Sequence, residues 1–191
     1  MPPSYCPRHY SNMRICIFCS ANHQIDPDFF LMTEELGRWA AKKGHVIVFG
    51  GVNQGLMECV ARATKQAGGH TVGVVPRIVE QTGRVSQFVD ESQFCDNLNE
   101  RKQLMEEQSD VFVALPGGIG TLDEIFTIAA AATIGYHTKR VILFNMKGFW
   151  NSLIAMLDDL HTKGVTRKQW RNYITVANSL EELQQVLAQN S

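Results

Sequence analysis

The amino-acid sequence predicts an α/β domain in which a central parallel sheet carries helices on both faces. Three observations predict it. Apolar runs of strand length alternate along the chain with longer segments of helical period. Glycines punctuate the junctions, at Gly44, Gly50-Gly51, Gly68-Gly69 and Gly117-Gly118. Several of the short runs are apolar throughout, as strands buried on both faces are. Strand, glycine turn and helix repeated in this way build a parallel sheet. No repeat or linker divides the chain, and 191 residues with 45% hydrophobic content suit one domain with a substantial core.

The first strand is expected at residues 14–19, where Ile15, Cys16, Ile17 and Phe18 form an uninterrupted apolar run. A helix follows from Asp26-Pro27, with Asp as cap and Pro in the first turn; its apolar face runs through Leu36, Trp39 and Ala40, and it stops at Gly44. Residues 45–49 form the second strand, and a helix over 54–67 ends at Gly68-Gly69. A third strand covers 70–75 before Pro76. The stretch 77–96 is less regular, with a short strand expected at 85–89. Next come a helix over 97–108, a strand over 110–115, a helix from Thr121 to Gly135 and a strand over 140–144. A helix over 149–163, a short strand over 173–176 and a helix from Ser179 complete the pattern. Residues 1–13, rich in Pro and Tyr, read as a disordered leader to a single domain over 14–191.

A formal net charge of −1 provides no global attraction to nucleic acid or to an anionic membrane, so any anion site must be local. The longest apolar runs, 111–115 and 141–144, are far shorter than the roughly 20 residues of a membrane helix. The leader lacks the apolar segment of a secretory signal, which points to a cytoplasmic address. Cys6, Cys16, Cys19, Cys59 and Cys95 are odd in number and scattered, which favours reduced thiols. Cys16 and Cys19 form a C-x-x-C, but they fall within one expected strand, where side chains three apart face opposite ways. His23, His137 and His161 occur singly, without partners at ligand spacing, so no metal is expected.

Ligands of such sheets bind at the carboxyl ends of the strands. Three loops qualify here: 20–26, 50–55 and 116–121. The last follows a buried strand and opens a helix, so its amides and the helix dipole can hold an anion such as a phosphate. It is neither a Walker A loop nor the G-x-G-x-x-G fingerprint. The loop at Gly50, Gly51 and Gly55 occupies the equivalent place after another strand, and Ser20 could contact a ligand from the first loop. For each, a purely structural turn is the competing reading. Thr121 and Glu124 match a capping box, in which Glu would be committed to its own helix terminus. A carboxylate one turn from an anion site would alternatively serve to face positive charge developing on a ribose ring as its bond to a base breaks. Arg101 lies on an apolar helical stripe between Leu104 on one side and Leu98 and Met105 on the other, so it requires an anionic partner or a more exposed face. Lys102 stands at the edge of that stripe.

The run Pro116-Gly117-Gly118-Ile119-Gly120-Thr121-Leu122-Asp123-Glu124 has the form P-G-G-x-G-T-x-x-E, and Glu100-Arg101-Lys102 precedes it. Together they resemble the LOG (LONELY GUY) family of nucleoside 5′-monophosphate phosphoribohydrolases. The resemblance extends over nearly the whole chain, through Leu36-Gly37, Gly50-Gly51, Gly55-Leu56-Met57, Gly68-Gly69 and Gly73-Val74-Val75-Pro76. It implies a Rossmann-like three-layer fold, a homodimer with active sites near the subunit interface, and no cofactor. It also implies hydrolysis of the N-glycosidic bond of AMP or of a cytokinin riboside monophosphate, giving free base and ribose 5-phosphate. Arg101 and Glu124 take the catalytic positions, and Gly117, Gly118, Gly120 and Thr121 the phosphate-binding ones. Lys102, Gly50, Gly51, Gly55 and Ser20 complete the candidate substrate site. An older label for such sequences, lysine decarboxylase, finds no pyridoxal-phosphate lysine context here. Val52, Glu58, Ala21-Asn22 and Leu98-Asn99 depart from the family pattern, in loops that would shape the base and sugar sites. A non-catalytic protein of the same fold, holding a nucleotide or phosphorylated cofactor, is therefore the second reading.

Overall fold

The structure is a computed structural model and describes residues 12–166 and 168–189. Its elements follow in the order β1 (Arg14–Phe18), α1 (Pro27–Lys42), β2 (Val46–Phe49), α2 (Gly55–Gln66), β3 (His70–Pro76), α3 (Arg77–Gln81) and β4 (Glu91–Cys95). Then come α4 (Leu98–Glu107), β5 (Val111–Ala114), α5 (Ile119–Thr133), β6 (Val141–Phe144), α6 (Asn151–Thr162), β7 (Ile174–Ala177) and α7 (Leu180–Ala188). All seven strands pair in parallel, in the spatial order β4-β3-β2-β1-β5-β6-β7.

Two apolar clusters sandwich the sheet. On one face Leu36 and Ala40 of α1, Leu56 and Val60 of α2, and Leu183 and Leu187 of α7 pack on Ile15, Ile17 and Ile47. On the other, Met105 of α4, Ile125 and Ile128 of α5, and Leu153 and Leu157 of α6 pack on Cys16, Phe18 and Phe112. Strand periodicity produces this division: odd and even residues of β1 belong to opposite clusters. Cys16 and Cys19 are accordingly on opposite faces. Each fully buried Ile or Leu contributes about 1.5–3 kcal/mol relative to exposure. The three-layer α/β class expected from the alternating pattern is thus the observed one.

Local chemistry accounts for the boundaries. Asp26 caps α1 by accepting from the Asp28 N–H at 2.9 Å, with Pro27 in the first turn, and the chain leaves this helix through Gly44 at φ +75°. Gly37 lets α1 lie close on α2, since a Cβ there would stand 3.0 Å from Ala63 Cβ and from the Val60 carbonyl oxygen. Ser179 caps α7 through the Glu182 N–H.

The stretch 77–96 differs from expectation. No strand forms over 85–89; Val85 makes only an isolated antiparallel bridge to Val52, and the strand is β4, at the sheet edge. Its sequence, ESQFC, is largely polar because an edge strand meets solvent, so it carries no apolar signal. The short α3 also forms in this stretch. Most of the expected leader lies outside the described residues, but Met13 is buried in the core and its N–H donates to His45 Nδ1.

The sheet order reverses direction at β1 and β5. Their connections diverge there to opposite faces and open a crevice at the carboxyl edge of the sheet.

Candidate active site

Three chain segments meet at this crevice. The Ser20 N–H donates to the Pro116 carbonyl at 3.0 Å, and the Leu56 N–H donates to the Ser20 carbonyl at 2.9 Å. The loops after β1, β2 and β5 are thereby stitched edge to edge. The Ser20 hydroxyl accepts the Asn22 N–H, so the side chain turns its own loop while its backbone bridges the other two.

The glycines divide into two groups. Gly50, Gly51 and Gly55 are demanded by protein packing. A Cβ on Gly50 would fall on Arg101 Nη2, one on Gly51 would overlap Val75 Cγ2, and one on Gly55 would stand 2.6 Å from the Ser20 carbonyl oxygen. Gly51 and Gly55 also have φ of +72° and +56°. Gly117 is covered by Thr121, which is buried. Gly118 and Gly120, by contrast, border open space. Helix α5 begins at Ile119 with Gly118 as its cap residue and no side-chain cap. Its first-turn N–H groups thus present the positive end of the helix dipole at the exposed part of the loop.

This earlier start removes the capping-box reading of Glu124. Thr121 is already inside the helix, two residues past its first, and Glu124 points instead across to α4. Asn97 caps α4 through the Asn99 and Glu100 N–H groups and sets the register that delivers Arg101 to the crevice. Arg101 Nη1 donates to Glu124 Oε1 at 2.9 Å, with side-chain exposures of 12% and 6%. The guanidinium also leans on the Val74 carbonyl at 3.4 Å. The anion that the apolar position of Arg101 required is therefore Glu124. The bond joins one guanidinium nitrogen to one carboxylate oxygen, and the second terminal nitrogen, Nη2, lies against Gly50.

Burial pushes the Glu124 carboxyl up to about 7, against the opposing charge of Arg101, and the neighbouring Asp123 adds to the rise. A carboxyl with that affinity changes protonation near neutral pH. Lys102, next to Arg101, donates to both oxygens of Asp123 at 2.9 Å. Asp123 was not among the candidate site residues expected from the sequence. The signal for it was the match of an Arg-Lys pair on one helix with an Asp-Glu pair on the next.

Among the described residues no group of three His, Cys, Asp or Glu side chains could hold a metal. A small cavity of ≈ 80 Å³ between Trp39, His45 and Leu187 lies at the opposite end of the sheet and has no part in this site.

The chain as a whole is similar to known proteins. A family model described as "Possible lysine decarboxylase" matches residues 57–187. A rice (Oryza sativa subsp. japonica) protein named "Probable cytokinin riboside 5'-monophosphate phosphoribohydrolase LOGL2" is 34% identical over 93% of this chain and 73% of its own. The Arabidopsis thaliana cytokinin riboside 5'-monophosphate phosphoribohydrolase LOG7 is 32% identical over 89% of this chain and 78% of its own.

The chain belongs to the LOG family of phosphoribohydrolases. As a LOG protein it is a hydrolase of N-glycosyl bonds, and the fold agrees with solved structures. The protein TM1055 superimposes with a TM-score of 0.72 at 27% identity, covering 93% of this chain and 99% of that one. The molybdenum cofactor binding protein of Rippkaea orientalis does so with a TM-score of 0.72 at 24% identity, covering 94% and 98%. At that identity the second likeness concerns the fold alone.

Proposed function

We propose that this LOG protein hydrolyses the N-glycosidic bond of a nucleoside 5′-monophosphate, AMP or a cytokinin riboside monophosphate, to free base and ribose 5-phosphate. The observation that carries this reading is the buried Arg101–Glu124 pair one helical turn from an uncapped, glycine-lined helix N-terminus. The first-turn amides of α5, with Gly117, Gly118, Gly120 and Thr121, hold the 5′-phosphate, and Lys102 adds positive charge at the rim. The ribose then lies against Glu124. As the bond from C1′ to the base nitrogen breaks, the ionised carboxylate faces the positive charge growing on the sugar and orients a water molecule. The water oxygen bonds to C1′ as the C1′–nitrogen bond breaks and one of its protons passes to Glu124; solvent supplies the proton that the departing base nitrogen takes up, and Glu124 then returns its proton to solvent. Arg101 holds Glu124 in place, and Gly50 leaves room for Arg101. Gly51, Gly55 and Ser20 keep the bordering loops together beneath the substrate. No cofactor takes part.

Two copies pair, in this reading, through the outward side of α5 and the turn after it, where Ile119, Phe126, Ile134 and Tyr136 are exposed. No helix among the described residues is long and apolar enough to cross a membrane. The described cysteines are free and buried, which suits a reducing cytoplasm.

The test is incubation of the purified protein with AMP and with isopentenyladenosine monophosphate, followed by chromatography for free base. Release by the wild-type protein and its loss in Glu124→Gln are expected. Binding without release, or full activity in Glu124→Gln, refutes the reading and favours a non-catalytic holder of nucleotides or phosphorylated cofactors.

A further inference from the structure

A second ion pair lies beside the first, and the reaction above gives Asp123 no task. Lys102 Nζ contacts both carboxylate oxygens of Asp123 at 2.9 Å. The two pairs join adjacent residues of α4 to adjacent residues of α5, so four charges stand side by side and sum to zero. Their settings differ at the acidic ends: Glu124 is buried and Asp123 is half exposed, while Arg101 and Lys102 are both largely covered. A carboxylate next to Glu124 opposes its ionisation, and a cation nearby favours it. Lys102 meets both needs at once, by neutralising Asp123 at contact distance and by adding its own charge near Glu124. The remaining ionisable groups near Glu124 are Arg101 on α4, the thiol of Cys16 on β1 and that of Cys19 just beyond it. Burial and the charge of Glu124 keep both thiols protonated.

A purely structural bridge would be expected to tie helices at any point along their contact. This one falls one residue from each member of the buried pair, and it places the lysine, with its long apolar stem, under cover while Asp123 stays half exposed. We propose that Lys102 and Asp123 are positioning residues for Glu124: by clamping Asp123, Lys102 offsets the negative charge beside Glu124 and holds α4 to α5 at the buried pair. The inference rests on the reading of Glu124 above only for its catalytic consequence.

The experiment is an NMR titration of ¹³C-labelled glutamate carboxyls without substrate, with the Glu124 signal assigned by its absence in Glu124→Gln. Wild type, Lys102→Gln, Asp123→Asn and Lys102→Arg are compared, and the pH profile of kcat/KM for base release is recorded in parallel. Lys102→Gln is expected to move the Glu124 midpoint, and the acid limb of activity, upward by about one pH unit. Asp123→Asn is expected to move both downward, and Lys102→Arg to restore the wild-type position. A pair serving stability alone would lower the melting temperature in both charge-removing variants without shifting Glu124 in opposite directions. Unmoved midpoints, or shifts of the same sign, overturn the proposal. Because the titration needs no turnover, failure to release base would refute the proposed reaction while the titration still decides this inference.

Discussion

Replacing Gly50 by alanine tests the site through a residue that has no chemistry of its own. Gly50 does not occupy the left-handed region, so its backbone admits alanine without strain. The new Cβ would overlap Arg101 Nη2, with Arg101 Cζ at 3.2 Å and Met57 Sδ at 3.1 Å. The methyl is boxed in, and the guanidinium must withdraw by at least about 1.4 Å to regain van der Waals separation. A misplacement of that size costs about 100-fold in rate, or about 2.7 kcal/mol of transition-state stabilisation. The fold should suffer less. Separating a buried ion pair outright costs about 3–5 kcal/mol, but Glu124 can accept a proton near neutral pH and so avoid part of that penalty. The assay is kcat/KM for base release together with thermal unfolding, with Gly118→Ala as a stability control, because its Cβ would meet open space. That control should leave stability within about 0.5 kcal/mol. A Gly50→Ala protein with kcat/KM within about threefold of wild type and an unchanged melting temperature would refute the packing of Arg101 on Gly50 as the determinant of its position.

The Glu124 carboxyl, raised from an ordinary 4.5 to about 7, makes both stability and activity depend on pH. Across that window the folded state retains a proton that the unfolded chain releases, so stability falls as pH rises, by up to about 3 kcal/mol. Urea unfolding at stepped pH should show this slope in wild type and its loss in Glu124→Gln; equal slopes would contradict the burial-driven rise. Activity runs the other way, with kcat/KM for the free enzyme climbing through about pH 7 as Glu124 ionises. Phe126→Asp places a charge on the exposed apolar side of α5, and light scattering should find monomers where wild type forms dimers. An unchanged mass would locate any interface elsewhere.

Much of the fold was legible because burial writes itself into local pattern. The runs at Ile15–Phe18 and Val111–Leu115 are apolar throughout because both sheet faces are covered, and Asp26-Pro27 and Gly44 mark helix ends whatever the helix packs against. Strand β4 was not legible, since an edge strand needs little apolar content and its polar residues resemble a loop. The nine-residue motif and the position of Arg101 on an apolar stripe singled out the two members of the ion pair, and the stripe stated the need for an anion. Sequence by itself therefore determined the fold class, the family and the identity of the two buried charges. Only the tertiary structure decided that those charges pair with each other. The start of α5 at Ile119 took Thr121 out of the cap and turned Glu124 toward α4, while parallel pairing brought Gly50, Val74 and Arg101 together from three separate segments. Local sequence could not choose between the capping box and the ion pair, because both use the same Glu124. The choice rests on a buried arginine contributed by another helix, and on the cost of leaving that charge without a partner.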